Sequence, residues 1–368
     1  MAAAAPAGAG TVQTTVATPD GTGSGSGFTY VFAAPAISSV VPNQGSVEGG
    51  NTVTLTGTGF TGATSVSFGG VAAAFIAVSA TQVTAVAPAA PAGAVNVTIT
   101  TPGGTSAGVP YTYVAAPVLS GVAPAQGPLA GGNTVTLSGT GFTGATAVHF
   151  GANAASSFTV VSPTQLTTSV PTGGPGPVAV TVTTPGGTST QAVFYYYLGA
   201  PVLNAISPGS GQVAGGNSVT LTGANLLQAT AVRFGATAAS TYTIVSATEI
   251  RAVAPPGAAG TVPVTVTTPG GTSNGVTYAY LGVPVISGLV PGQGPSAGGT
   301  TVTLTGVGLT YTTAVLFGAV PAGFTVVSDT QLTTTTPPGV AGAVTVRVVT
   351  PGGTSIGLPY TRLDPPGI

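Results

Sequence analysis

The sequence predicts an all-β protein: tandem two-sheet sandwiches of about 83 residues that join into an extended rod. Three observations carry this expectation. The block Thr-Pro-Gly-Gly-Thr-Ser occurs four times, with its proline at Pro102, Pro185, Pro269 and Pro351, so one phrase returns after 83, 84 and 82 residues. Within each interval, short apolar runs alternate with threonine at period two, the spacing of a half-buried strand. Glycine (59) and proline (32) fill about a quarter of the 368 positions and fall between the runs, where turns are needed.

Each element of a repeat has its own signature. A Pro-x-x-Gly phrase leads to Gly-Gly and a Thr/Val/Leu run at 42–57, 124–139, 208–223 and 291–306. In Thr52-Val53-Thr54-Leu55-Thr56, Val53 and Leu55 face a core while the threonines face water. A Val-x-Phe-Gly strand end places Phe68, Phe150, Phe234 and Phe317 in register as core anchors. Val95, Val97 and Ile99 form the next strand, as do Val262, Val264 and Val266. Branched Cβ atoms pack well on a pleated surface, which favours these residues in strands. Pro102-Gly103 then fits the two central positions of a type II turn. No stretch carries a helical stripe, and six or seven strands per repeat suffice for a sandwich. Full units span 33–114, 115–198, 199–281 and 282–363, followed by a tail at 364–368. Residues 1–32 align with the last third of a unit: Pro19 stands 83 positions before Pro102, and Phe28 and Tyr30 match Tyr111 and Tyr113. The joints are about three residues long, so little tumbling is expected. At roughly 40 Å per sandwich, four units would span about 150 Å.

Composition excludes several functions. Lys plus Arg number 4 and Asp plus Glu number 5, too few cations to neutralise a phosphate backbone, so no nucleic acid is expected as partner. With no cysteine and one histidine, His149, neither a disulfide framework nor a zinc site is expected, and no cofactor is expected. No 18-residue apolar run is present, so direct membrane insertion is not expected. The opening ten residues lack the charge and apolar centre of an export signal. The acids Asp20, Glu48, Glu249, Asp329 and Asp364 fall in different repeats, and serines lack a neighbouring base, so enzyme activity is not expected. Hydrophobic residues make up 43% of the chain, which argues against disorder.

The phrases P-x-x-G-x-x-x-G-G-x-x-V-T-L-T-G, G-A-T-x-V-x-F-G and V-x-V-T-T-P-G-G-T-S followed by tyrosine resemble IPT/TIG domains, which are immunoglobulin-like. The resemblance covers 33–363 as four copies, plus the partial copy before them. It implies immunoglobulin-like sandwiches and a role in adhesion, spacing or fibre building. The third copy departs at Gly223-Ala224-Asn225-Leu226, where the first two have Gly-Thr-Gly-Phe, and leucine keeps the apolar slot.

Two functional readings follow. The first is a structural subunit of an extracellular or cell-surface filament or stalk, a homo-oligomer or helical homopolymer. Its proposed subunit contact takes Val12, Val16, Phe28 and Tyr30, apolar residues of a partial unit with unpaired edges, together with Tyr195, Tyr196 and Tyr197 from the dense aromatic run of the second unit. The alternative is an adhesin-like module that recognises carbohydrate or a surface protein. Small side chains and absent thiols suit a secreted or cell-surface setting, bacterial or virion-associated by resemblance.

Overall fold

The computed structural model describes residues 33–364, and the backbone of four short strands before them, Gly10–Val12, Thr15–Thr18, Gly21–Ser24 and Phe28–Tyr30. Every element among the described residues is a strand. The chain divides into two compact units, residues 1–125 with 130–196, and residues 126–129 with 197–368.

In the second unit, the repeat that starts near Pro201 shows the architecture most simply. Val202–Ser207, Ser218–Ala224, Glu249–Val253 and Thr241–Ser246 form a four-stranded antiparallel sheet in that spatial order. The facing sheet runs Ser210–Gln212, Val276–Leu281, Gly260–Thr268, Ala231–Phe234 and Thr237–Ala238, with Gly271–Thr272 folded back on Gly260–Thr268. The first pair of that sheet is parallel and the others are antiparallel. Ten strands replace the expected six or seven. The additional ones are two or three residues long, too short to establish an alternating pattern.

Alternation decides what is buried. In Ser218–Ala224, Val219 and Leu221 are buried while Ser218 and Thr222 are exposed. Val264 and Val266 enter the same core from the opposite sheet. Phe234 and Tyr278 meet edge to face at 5.1 Å, and Tyr278 meets Tyr280 in the same manner at 5.1 Å. A Cβ on Gly211 would collide with the Tyr278 hydroxyl, so the glycine of the Pro-x-x-Gly phrase is required by the close approach of that ring. The repeat that follows has the same two sheets, around Val302, Leu304, Phe317 and Tyr360.

In the first unit, the sandwich that starts near Pro35 joins its sheets through one long strand. Val71–Ser79 pairs with Ser65–Phe68 at its beginning and with Gln82–Val86 thereafter. Its core holds Leu55, Phe60, Phe68 and Val97, as expected for Leu55, Phe68 and Val97. The following repeat has a four-stranded sheet of Val118–Ala123, Thr134–Thr140, Gln165–Ser169 and Phe158–Ser162. In all four sandwiches the outer strand beside the turn, Phe158–Ser162 and its equivalents, carries a register shift against its neighbour. A bulge of this kind twists an open edge and discourages further strand pairing.

The Thr-Pro-Gly-Gly-Thr-Ser block is organised differently from the expected type II turn. Its first glycine is not left-handed. Positive φ falls on the second, at +120° for Gly104, +123° for Gly187, +127° for Gly271 and +130° for Gly353. The turn therefore places its left-handed glycine just after the two central residues. The first glycine is small for another reason: a Cβ on Gly186, Gly270 or Gly352 would strike the carbonyl oxygen of Ala115, Gly199 or Gly282, in the segment that leads into the same sandwich. The flanking hydroxyls close the block. Gly270 N–H donates to Thr268 Oγ1 at 3.2 Å, and Val266 N–H donates to Ser273 Oγ at 3.0 Å. The repeated phrase is thus a turn and a seat for the incoming chain.

Candidate binding surface

A shallow hollow recurs at one place on three sandwiches. Sheet register builds it: Thr52 stands opposite Val86, Thr134 opposite Ser169, and Thr301 opposite Thr335. On the adjoining edge strand lie Phe75, Phe158 and Phe324, opposite Ala85, Thr168 and Thr334. The hollows measure about 250, 200 and 110 Å³. Their rims are threonine and serine, except in the first sandwich, where Ile76 and Val86 add an apolar flank and Ile76 is 70% exposed. Phe75 and Phe324 pack partly into the cores beneath, so each ring is a floor and not a free stacking platform.

Buried hydroxyls hold the hollows of the second and fourth sandwiches in place. Thr168 Oγ1 donates to Ser157 O and Thr334 Oγ1 to Gly323 O, each at 2.8 Å. No charged side chain lines any of the three hollows. The arrangement offers neutral donors and acceptors beside small apolar areas. Such a surface can hydrogen-bond hydroxyls or backbone groups and has no means of moving protons.

The charged residues are spread apart among the described residues. Glu249 and Arg251 form an exposed ion pair at 3.2 Å on one strand. Asp329 accepts from Gly308 N–H at 3.2 Å and from Thr310 Oγ1 at 2.8 Å, and these bonds, the hydroxyl first, hold its carboxyl below the usual range. Arg362 is buried, donates to Pro337 O at 3.2 Å and leaves its Nε without a partner. His149 sits half-buried on Ala147–Phe150, and no group of three metal-ligating side chains occurs among the described residues. Among the described residues no pair of carboxylates is brought together for acid–base work.

The expected subunit-contact residues separate. Tyr195 and Tyr197 are corrected out of that set: both rings are interior, and Tyr195 Oη donates to Asn133 Oδ1 at 3.1 Å. A side chain enclosed by its own sandwich has no surface to offer a second subunit. Phe194 and Tyr196 are the outward members of the run, 43% and 47% exposed. Val12, Val16, Phe28 and Tyr30 lie on the four short strands, where the backbone of Val12 pairs with Phe28, Gly10 with Tyr30 and Val16 with Gly23. Their side chains lie outside the described residues, as does Asp20.

One feature escaped the sequence reading. Asn225 (φ 57°) and Gln228 (φ 63°) are the non-glycine residues with left-handed backbone among those described. They stand where the first sandwich has Gly59 and Gly62, at φ 75° and 73°. The signal in the sequence is the departure from the repeat at Gly223-Ala224-Asn225-Leu226.

Mouse (Mus musculus) fibrocystin-L is 28% identical over 296 residues, covering 77% of this chain, which spans only 7% of that relative's length. Among solved structures, the plexin A4 extracellular region is similar over 89% of this chain and 30% of its own, at 23% identity and a TM-score of 0.36. Invasin, a bacterial integrin-binding protein, is similar over 88% and 78%, at 15% identity and a TM-score of 0.28. A family model described as IPT/TIG domain matches residues 35–113, 117–197, 201–280 and 284–362, the stretches that fold as the four sandwiches. With most of its length so matched, the chain belongs to the IPT/TIG domain family.

Proposed function

We propose that this chain is an extracellular adhesion module whose tandem sandwiches engage carbohydrate or a surface protein. The observation that carries the reading is the recurrence of one neutral, hydroxyl-rimmed hollow at the same register position on three sandwiches. A single shallow hollow binds weakly. Repeated sites on one chain raise retention through effective concentration, without any deeper pocket. Family membership agrees with a non-catalytic surface role. The filament reading has less support, because two of its proposed contact rings are interior.

Solid-phase binding tests the proposal. The intact chain is passed over immobilised neutral glycans and extracellular proteins, with soluble monovalent ligand as competitor. Saturable retention that the competitor releases only at high concentration is expected. Absence of retention, together with regular filaments of the same preparation in electron micrographs, would favour the structural-subunit reading instead.

A further inference from the structure

The third sandwich departs from the first two in one loop, at two positions where they carry glycine. In the first and second sandwiches the loop reads Gly59-Phe60-Thr61-Gly62 and Gly141-Phe142-Thr143-Gly144, with left-handed backbone at each glycine. In the third it reads Asn225-Leu226-Leu227-Gln228, and the left-handed backbone is kept at both ends. Asparagine tolerates that conformation better than most residues, whereas glutamine has no such advantage. The buried anchor survives, since Leu226 fills the slot of Phe60 and Phe142. Glycine would therefore satisfy the turn, and two amides stand there instead, with Gln228 holding a strained backbone. Strain retained where the fold does not demand it points to a site.

Those amides line a cleft of about 250 Å³ with Leu227, Ala247, Thr268 and Gly199. Asn225 Nδ2 donates to Ala200 O at 3.2 Å, which fixes the side chain and leaves Oδ1 for a ligand. Gln228 is exposed, and its amide has no protein partner among the described residues. Leu227 is 57% exposed and supplies an apolar wall. The corner is open because Ala247 occupies the position of Asp329. In the fourth sandwich that carboxylate fills the equivalent corner and bonds Gly308 N–H and Thr310. No charged group lines the cleft.

We propose that this cleft binds a sugar residue of a neutral glycan. Asn225 Oδ1 and the Gln228 amide would bridge adjacent ring hydroxyls, each of which both donates and accepts, while the C–H face of the ring lies on Leu227. A charged ligand would find no counter-charge there. A peptide anchor would want a deeper apolar pocket than one leucine provides. The inference rests on reading the chain as a binding module and names the ligand class for one sandwich.

The test is affinity electrophoresis of the full chain through gels containing dextran, mannan, galactan or xyloglucan, alongside N225G/Q228G and L227T. The double variant restores the loop of the first two sandwiches, relieving strain at Gln228 while losing the exposed Asn225–Ala200 bond, so its melting temperature should change little. Retardation of the intact chain by at least one polysaccharide, weakened about tenfold or more in N225G/Q228G, is expected from the loss of two hydrogen bonds. Equal retardation of intact and variant chains would overturn the cleft while leaving the adhesion reading in place. Retention on an immobilised protein with no retardation in any gel would overturn the glycan assignment alone. Absence of both would overturn both.

Discussion

Tyr280 Oη donates to the carbonyl oxygen of Pro255 at 2.8 Å, and across the fold Arg362 does the same work at Pro337 with its guanidinium at 3.2 Å. In the first sandwich Tyr113 bonds Pro88 O at 2.8 Å. The bond therefore closes the same loop with a phenol in two sandwiches and with a cation in the fourth. The cation is the poorer solution, because Arg362 is buried with an unpaired Nε. Desolvating such a group costs free energy that a phenol avoids. Arg362→Tyr should stabilise the fourth sandwich by about 1–3 kcal/mol, while Tyr280→Phe should destabilise the third by a similar amount. Denaturant melts of both variants check the opposite signs.

The seat for the incoming chain makes a separate demand. Gly270 has an ordinary backbone conformation, so alanine there meets the Gly199 carbonyl and, at 3.0 Å, the Leu198 carbonyl oxygen. Gly270→Ala should cost about 1–3 kcal/mol through overpacking. Calorimetry of the variant checks it, and an unchanged third-sandwich transition would show that the incoming segment moves aside freely.

Core disruption should stay local. Phe68 is fully enclosed and meets Tyr111 edge to face at 5.1 Å. Phe68→Ala should cost roughly 3–5 kcal/mol from lost burial and a residual cavity. The first sandwich should melt early while the others retain their transition, since repeat arrays couple chiefly between neighbours. Loss of all four in one cooperative step would contradict this independence.

Few groups link stability to pH. Burial raises the phenols of Tyr111, Tyr113, Tyr195, Tyr278 and Tyr280. The folded state then holds its protons longer than the unfolded chain, so stability is full below the ordinary tyrosine value of about 10 and falls as pH rises above it. Asp329 is shifted the other way. Its contribution is present above the unfolded carboxyl value and is lost as pH falls through the lower folded value. Thermal melts across pH should show a broad plateau, a cooperative alkaline loss and a small acid loss confined to the fourth sandwich, absent in Asp329→Asn.

The sequence disclosed the repeat, the fold class and the core because each depends on local alternation. Leu55, Phe68 and Val97 are interior as their spacing required. Tyr195 and Tyr197 are interior by the same alternation: the Tyr-x-Tyr pairs of the first and third sandwiches, Tyr111 with Tyr113 and Tyr278 with Tyr280, put both rings inside. Recurrence across copies marks the core, whereas aromatic density in one copy does not mark a surface. The need for glycine at Gly186, Gly270 and Gly352 was unreadable from their neighbours, since the constraint comes from a carbonyl some 70 residues away in sequence. The hollows were likewise hidden, because cross-strand register assembles them from three strands.

The most direct test of the adhesion reading is surface binding of the intact chain as salt is varied. Its candidate hollows carry no charge, so retention on an immobilised neutral glycan or surface protein should persist between about 0.1 and about 1 M salt, where the Debye length falls from about 10 to about 3 Å. Saturable retention with a flat salt dependence is the expected result. Retention that disappears as salt rises, or no retention on any neutral surface, would contradict a neutral adhesion module.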